Sequence, residues 1–405
     1  MVLGTVAAAS ALMSGPAGAS TPEVFGGSAS GQALNLSLAG TNFTGGLSQA
    51  NVKSPLSANA EGIGVFTPGL TNDFKTSVNA SNQTDNKGYT CAGALPTLPG
   101  PLGALELKAA CSSSSSSDTA NNPVANSSGL VAFAGLSNLN SIPGLASGLN
   151  QACPTDKKGG LFQIPTVGAT LCQALTSLSV GQVVNAPIGA SHSSVTTSGG
   201  KVVSTATADG ATISLLSALP ASNSIQIPTV VNPLVSLTLG SATATATYDR
   251  TTGKASGTFD PALLTVTLNI PGQPSQTTKI VPGQSVDIPP AGSGAPVLLS
   301  IKVGAGKTTT NPDGSVSSVA DGVSLAVLPG QAPGGTDVLD LQLAHADASA
   351  GGALATLTAA PHPPTLPFTG EHPWIPYAGL GFLGGALGLG FLAYRGGFRF
   401  GFRRS

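Results

Sequence analysis

Leu237-Thr-Leu-Gly-Ser-Ala-Thr-Ala-Thr-Ala-Thr-Tyr248 alternates small or apolar side chains with threonine for most of its length. A period of two places alternate residues on opposite faces of an extended chain, and β-branched threonine suits a pleated surface. The stretch predicts strands interrupted near Gly240-Ser241. Working outward, Asp249-Arg-Thr-Thr-Gly253 supplies a turn, and Leu263-Leu-Thr-Val-Thr-Leu-Asn-Ile270 repeats the alternation. Thr197-Ser-Gly-Gly200 and Asn311-Pro-Asp-Gly314 hold further Gly, Asn and Asp residues that supply the φ values tight turns need. Residues 176–350 are therefore expected to be a β-rich region, with the strand pattern clearest from Thr176 to Leu343. The fold class is mostly β, a β-sandwich or β-hairpin-repeat ectodomain with flexible Ser/Gly/Pro-rich segments.

A loose internal repeat runs through this region. Leu178-Ser-Val-Gly181, Leu237-Thr-Leu-Gly240 and Ile301-Lys-Val-Gly304 each open a Ser/Thr/Ala-rich hairpin. Ala208-Asp-Gly210 leads into Ile213-Ser-Leu215, as Ala320-Asp-Gly322 leads into Val323-Ser-Leu325, with an echo in Leu36-Ser-Leu-Ala-Gly40 and Ala60-Glu-Gly62. The uneven spacing points to recurring hairpins rather than a strict solenoid.

Residues 20–175 form an N-terminal, cysteine-containing region. The run Ser112 to Ser117 continues into polar residues as far as Asn122, and is expected to be an exposed, flexible loop over 112–122. Cys91, Cys111, Cys153 and Cys172 make two pairs about twenty residues apart, with no metal-ligand spacing. In an exported chain they read as disulfides. Of three connectivities, Cys91–Cys111 with Cys153–Cys172 closes two short local loops and is preferred.

Composition removes several classes of function. Charged residues are 8% of the 405 positions, against about 25% in ordinary globular proteins. Four of the arginines fall in the last eleven residues, and what precedes them is weakly acidic. Such a body lacks the basic footprint of a nucleic-acid binder. Gly304-Ala-Gly-Lys-Thr308 lacks the first glycine of a phosphate-binding loop, since position 301 is isoleucine, and no helix pattern follows. His192 stands among serines without a nucleophile elbow, and His345-Ala-Asp347 offers two ligands where a metal site needs three or four. Glutamates are few and Trp374 is the sole tryptophan, which weakens glycoside hydrolysis and sugar binding alike. No cofactor, metal or catalytic residue is expected, and the chain is not expected to be an enzyme.

The two ends carry addresses. Val2 to Met13 is apolar, and Ala17-Gly18-Ala19 before Ser20 has the small-residue pattern a signal peptidase accepts, so residues 1–19 are expected to be a signal peptide. No Lys or Arg precedes Lys53, so the usual positive n-region is missing. At the other end, a Pro/Ala/Gly linker over 351–365 precedes Leu366-Pro367-Phe368-Thr369-Gly370. Then come uncharged Ile375 to Tyr394 and the tail 395–405 with Arg395, Arg399, Arg403 and Arg404. Twenty helical residues span about 30 Å, one bilayer core, so 375–394 is expected to be a transmembrane helix. The arginines keep the tail cytoplasmic as a stop-transfer signal.

These three parts in this order resemble the cell-wall sorting signal of LPxTG surface proteins of Gram-positive, actinobacterial-type bacteria. The resemblance covers about the last forty residues. It implies that a sortase recognises Leu366 and Pro367, attacks the Thr369 carbonyl, cleaves Thr369–Gly370 and joins the chain to peptidoglycan, with Phe368 at the variable position. The expected partners are sortase, peptidoglycan, signal peptidase and an extracellular ligand of unspecified kind. The expected location is the cell wall, reached through transient residence in the membrane. The alternative reading is a membrane-retained ectodomain or an extracellular hydrolase of unrecognised type.

Overall fold

In a computed structural model the described residues are 24–38, 41–54, 57–66, 74–80, 85–92, 105–119, 122–136, 150–151, 153–158, 172, 184–185, 189–215, 235–269, 274–288, 297, 299–331 and 335–352. They are mostly β strand. The strands are β1 Gly26–Leu38, β2 Thr41–Lys53, β3 Ser57–Phe66, β4 Lys75–Ala80, β5 Asp85–Ala92, β6 Leu105–Thr119, β7 Asn122–Leu136, β8 Val184–Asn185, β9 Gly189–Ser198, β10 Lys201–Ala208 and β11 Thr212–Leu215. They continue as β12 Val235–Leu239, β13 Ala242–Asp249, β14 Lys254–Asp260, β15 Leu264–Leu268, β16 Gln276–Ile280, β17 Ser285–Ile288, β18 Leu299–Val303, β19 Lys307–Thr310, β20 Val316–Ala320, β21 Val323–Val327 and β22 Leu339–Gly351.

Three antiparallel sheets result. Sheet A runs β17-β18-β21-β22-β1-β2-β3-β4, with β19 and β20 paired beside β22; sheet B runs β14-β13-β10-β9-β7-β6-β5; sheet C runs β16-β15-β12-β11-β8. Pairing of β1 with β22 and of β7 with β9 crosses residue 175. The boundary expected there does not divide the sheets.

Sheet A lies face to face on sheet B, and Cα atoms of β2 and β7, β3 and β6, and β1 and β10 come within 8 Å. Packed sheets usually stand about 10 Å apart, so only small side chains fit between these. The inner rows are Ala29, Ala50, Ala58 and Ala60 on one side and Ala125, Ala206, Ala244 and Ala246 on the other, all buried. Serines fill the remaining space; several bond across the gap, while the Ser114, Ser116, Ser191 and Ser204 hydroxyls are buried there without a partner among the described residues. Ser48 Oγ lies 2.8 Å from Ser193 Oγ, Ser127 Oγ donates to the Gln49 carbonyl at 2.8 Å, and Ser112 Oγ donates to the Phe74 carbonyl at 2.7 Å. Where the backbones come closest even a methyl is excluded. A Cβ at Gly129 would lie 2.5 Å from the Ile63 carbonyl oxygen, and one at Gly62 would strike the Ser128 carbonyl.

The Ser112–Ser117 run is therefore a correction to the sequence reading, since it forms the middle of β6 and not a flexible loop. Ser112, Ser114 and Ser116 are buried against sheet A, while Ser113, Ser115 and Ser117 face outward. Serine ordinarily marks loops because its hydroxyl competes for backbone hydrogen bonds. Here the narrow gap selects it for its size.

In its two fully described copies the internal repeat is a hairpin whose two arms break at the same level; the opening motif of the remaining copy, Leu178–Gly181, lies outside the described residues. Strands β9 and β10, joined at Gly199-Gly200 with φ of 58° and 75°, continue across Asp209-Gly210 into β11. Strands β12 and β13 turn through Asp249–Gly253 into β14 and β15. Strands β18 and β19 turn through Asn311–Gly314 into β20 and β21. Backbone bonds bridge the breaks: Gly304 N–H to the Gly322 carbonyl at 2.7 Å, Gly240 N–H to Leu263 at 2.9 Å and Asp209 N–H to Ala190 at 2.8 Å. Within sheet A, β2 and β22 run past this level unbroken and bend instead, at Gly46 and Ala344, whose φ values are 60° and 56°.

The break separates two kinds of core. On the turn side lie most of the alanines and serines, with Phe25, Val52, Val195, Val202 and Tyr248 towards the turns; on the other side lie Leu36, Leu38, Phe43, Ile213, Leu237, Leu264, Ile301 and Leu325, all buried in one continuous cluster. Large side chains need a wider gap than the alanine half allows, so strands common to both halves must bend between them.

Gly129→Val should lower unfolding free energy by about 3 kcal/mol, because the added atoms have no space in the gap. Thr258→Ala, on the outer face, should stay within about 0.5 kcal/mol of wild type. Urea denaturation of both proteins measures the contrast.

Candidate functional site on the outer face of sheet B

Because side chains alternate, the residues facing away from sheet A also form rows across sheet B. One row is Asp260, Thr243, Thr207, His192, Ser128, Ser113 and Tyr89; the next is Thr258, Thr245, Thr205, Ser194, Asn126, Ser115 and Lys87. Hydroxyls dominate both. At the β5–β6–β7–β9 end the surface dips into an open groove of about 640 Å³, reached by Lys87, Tyr89, Ser113, Asn126, Ser128 and His192. Tyr89 is 74% exposed, and the His192 side chain is 62% exposed. Ser113 Oγ and Ser128 Oγ are 2.7 Å apart on the floor.

Strand β5 is the edge of this sheet, and edge strands are held on one side only. Cys91 pairs with Cys111 one row beyond Tyr89 and Ser113, and the two cysteines form a disulfide between β5 and β6. The bond ties the strand carrying Lys87 and Tyr89 to the groove floor. The second disulfide joins Cys153 and Cys172, both buried in the main core cluster. Both pairs are those preferred from sequence, and the described cysteines include no free thiol.

His192 and His345 occupy equivalent places in the repeat. Each faces the aspartate of an Ala-Asp-Gly break from the neighbouring strand: His192 Nε2 is 3.9 Å from Asp209 Oδ2, and His345 Nδ1 is 3.4 Å from Asp321 Oδ1. The sequence shows the two tripeptides but not their histidines, which pair only through strand register. His345 also stands two residues from Asp347 on β22, yet no cluster of three possible metal ligands occurs among the described residues. In Gly304–Thr308, the first three residues are the β18–β19 break, with Gly306 at φ 66°, and Lys307 and Thr308 open β19.

The carboxylates here divide by environment. The contact with His345 holds Asp321 below the usual aspartate range, against partial burial. Burial pushes Asp347 up, with His345 opposing and Asp321 adding to the rise; burial and Asp337 push Asp340 up. Asp249 and Asp313 are lowered mainly by hydrogen bonds from Thr252 and Ser315 in their turns.

Leu366, Pro367, Phe368, Thr369 and Gly370 lie outside the described residues, as do 1–19, the linker from residue 353 onward, 375–394 and the four tail arginines. Among the described residues no helix is long and apolar enough to cross a membrane.

Linkage gives two substitutions opposite signs. A lowered carboxylate stabilises the fold above the ordinary aspartate pKa and loses that contribution as pH falls, so Asp321→Asn should destabilise at pH 7 and match wild type in strong acid. A raised carboxylate costs stability once ionised, so Asp347→Asn should raise Tm at pH 7, with the gain vanishing as pH falls through the wild-type group's raised pKa. Thermal melts across that pH range check both.

No protein-family model and no curated protein matches the chain. Among solved structures, the outer membrane protein OmpT of Vibrio cholerae, in its trimer form, aligns at 6% identity and TM-score 0.16, covering 81% of this chain and 98% of that one. The WD40 domain of SCAP from fission yeast aligns at 8% identity and TM-score 0.13, covering 79% and 95%. Similarity at these scores carries no inference about fold or function.

Proposed function

We propose that this chain is a secreted surface protein that a sortase joins covalently to peptidoglycan, where its β-sandwich ectodomain of hairpin repeats has a structural or adhesive task rather than an enzymatic one. One observation carries the reading: Leu366-Pro367-Phe368-Thr369-Gly370, uncharged Ile375 to Tyr394 and the arginine tail follow one another in that order. A transmembrane helix over 375–394 would stop transfer, and the arginines would keep the tail inside. The pentapeptide would then stand just outside the bilayer. A sortase thiolate attacks the Thr369 carbonyl, Gly370 leaves with the tail, and a peptidoglycan amine takes the acyl group. Proline fixes φ at Pro367 and shapes the extended peptide for recognition.

The ectodomain is compatible with that location. Two disulfides suit an oxidising compartment, and the outer rows of sheet B are hydroxyl-rich. Gly26 pairs with Gly351, so the first and last strands meet at one end of sheet A and β22 runs into the linker.

Thr369→Ala should abolish wall attachment and leave intact protein in the membrane fraction. Truncation after Gly370 should instead release it to the medium, since no stop-transfer segment remains. Fractionation after wall digestion, with mass spectrometry of the C-terminal peptide, reads the outcome: Thr369 joined to a wall fragment supports the proposal. Wild-type protein that keeps Arg403 and Arg404 and extracts only with detergent establishes the membrane-retained alternative.

A further inference from the structure

We infer that the groove across β5, β6, β7 and β9 is a saccharide-binding site whose occupant is an uncharged stretch of a cell-wall glycan strand. The choice of wall glycan rests on the wall location proposed above; the chemistry of the groove rests on the structure alone.

Charge and polarity narrow the ligand class. Among the described residues, Lys87 is the only lysine or arginine lining the groove and no carboxylate lines it, so it offers no row of cations to a nucleic acid. A protein partner would need an apolar centre to its contact. Among the described residues, the exposed large apolar side chains Val24, Phe259, Leu263 and Val281 all lie outside the groove, and Tyr89 is the exposed large aromatic within it. What remains, beside the single cation of Lys87, is a set of hydroxyl and carboxamide donors and acceptors next to one aromatic plane. The Ser113 and Ser128 hydroxyls and the Asn126 carboxamide can exchange hydrogen bonds with sugar hydroxyls and acetamido groups. The Tyr89 ring can cover the C–H face of a pyranose.

Dimensions fit an extended chain. Tyr89, Ser113, Ser128 and His192 succeed one another on four adjacent strands, so the row crosses about 14 Å at the usual strand spacing. The hydroxyl rows continue beyond His192 through Thr207 and Thr243, allowing a longer strand to lie across the sheet. Each exposed hydrogen bond replaces one to water, so affinity per site is low, and repeated units on a fixed polymer raise the effective strength. The Cys91–Cys111 bond is a positioning element that holds Tyr89 over the floor.

The test uses the full chain in mild detergent, with chitotetraose as soluble probe and sheared peptidoglycan glycan strands as insoluble probe. Saturation-transfer NMR should show chitotetraose contacts with a Kd on the order of 1 mM, unchanged between about 50 and 500 mM salt. Tyr89→Ala should weaken binding by roughly fivefold with an unchanged melting curve, and Phe259→Ala on β14 should bind like wild type. Reduction of the protein should weaken binding in wild type more than in Tyr89→Ala. The inference is overturned by absence of transfer to either probe, by equal binding in Tyr89→Ala, or by displacement of the sugar by a DNA oligomer in a salt-dependent way. Fractionation is independent of this readout: a membrane-retained chain that still binds chitotetraose would sink the wall location and keep the site, while a wall-linked chain that binds neither probe would do the reverse.

Discussion

The narrow gap between sheets A and B is the constraint from which most of this structure follows. A backbone approach within 8 Å favours hydrogen, methyl or hydroxymethyl side chains along the middle of the gap, with Val52, Val195, Val202 and Tyr248 filling its turn end. Glycine is required where the backbones come closest, and alanine and serine fit most of the remaining inner positions. Each alanine contributes less apolar burial than a leucine would, and cross-sheet serine bonds add about 1 kcal/mol net apiece. Extended pairing compensates for the thin core. The β1–β22 ladder runs from Gly26–Gly351 to Leu38–Leu339, and each ladder bond protects groups that would otherwise be buried unpaired.

The same constraint explains why the strands break. One end of the molecule encloses Leu, Ile and Phe, the other mainly Ala and Ser with a few Val and Tyr248, and a straight strand cannot border both spacings. Sheet B gives way to sheet C at the transition, with Gly210 and Gly240 at the joints, while β1, β2 and β22 remain whole by bending at Ala33, Gly46 and Ala344. Crowding at the joints is severe. A Cβ at Gly322 would collide with the Leu343 and Ala344 carbonyls, and one at Gly304 with Asp321. The Ala-Asp-Gly echo thus has a physical origin in the joint, where glycine permits close backbone approach and aspartate meets a histidine on the adjacent strand.

Strand and turn content from residue 189 onward was legible because threonine alternation and turn chemistry are local signals. Asp249 and Asp313 accept N–H bonds within the turns where their sequence clusters stand. The N-terminal half was less legible, since Ser112–Ser117 has no hydrophobic alternation and its burial depends on strands of another sheet that lie far back in the sequence, as in the bond from Ser112 to Phe74. Cysteine spacing suggested the two local disulfides, but not that one would pin an edge strand. The groove left almost no trace, because Tyr89, Ser113, Ser128 and His192 are adjacent only through register across four strands. The proposed sorting signal was legible for the opposite reason: all its parts lie in one continuous segment.

Strand order also decides how an anchored body would carry load. The linker at residue 352 continues from β22, so tension from the wall would enter along that strand's axis. β22 is interior to sheet A, bonded to β1 along one side and to β20 and β21 along the other. Antiparallel hydrogen bonds lie perpendicular to the strands, so an axial pull loads both ladders in shear rather than opening them one bond at a time. The alanine-lined gap lies directly beneath, where β22 faces β10 and β13. A glycan held on the outer face of sheet B would therefore be joined to the anchor through the most extensively paired part of the fold, and the weaker edges at β5, β14 and β16 would lie off that path.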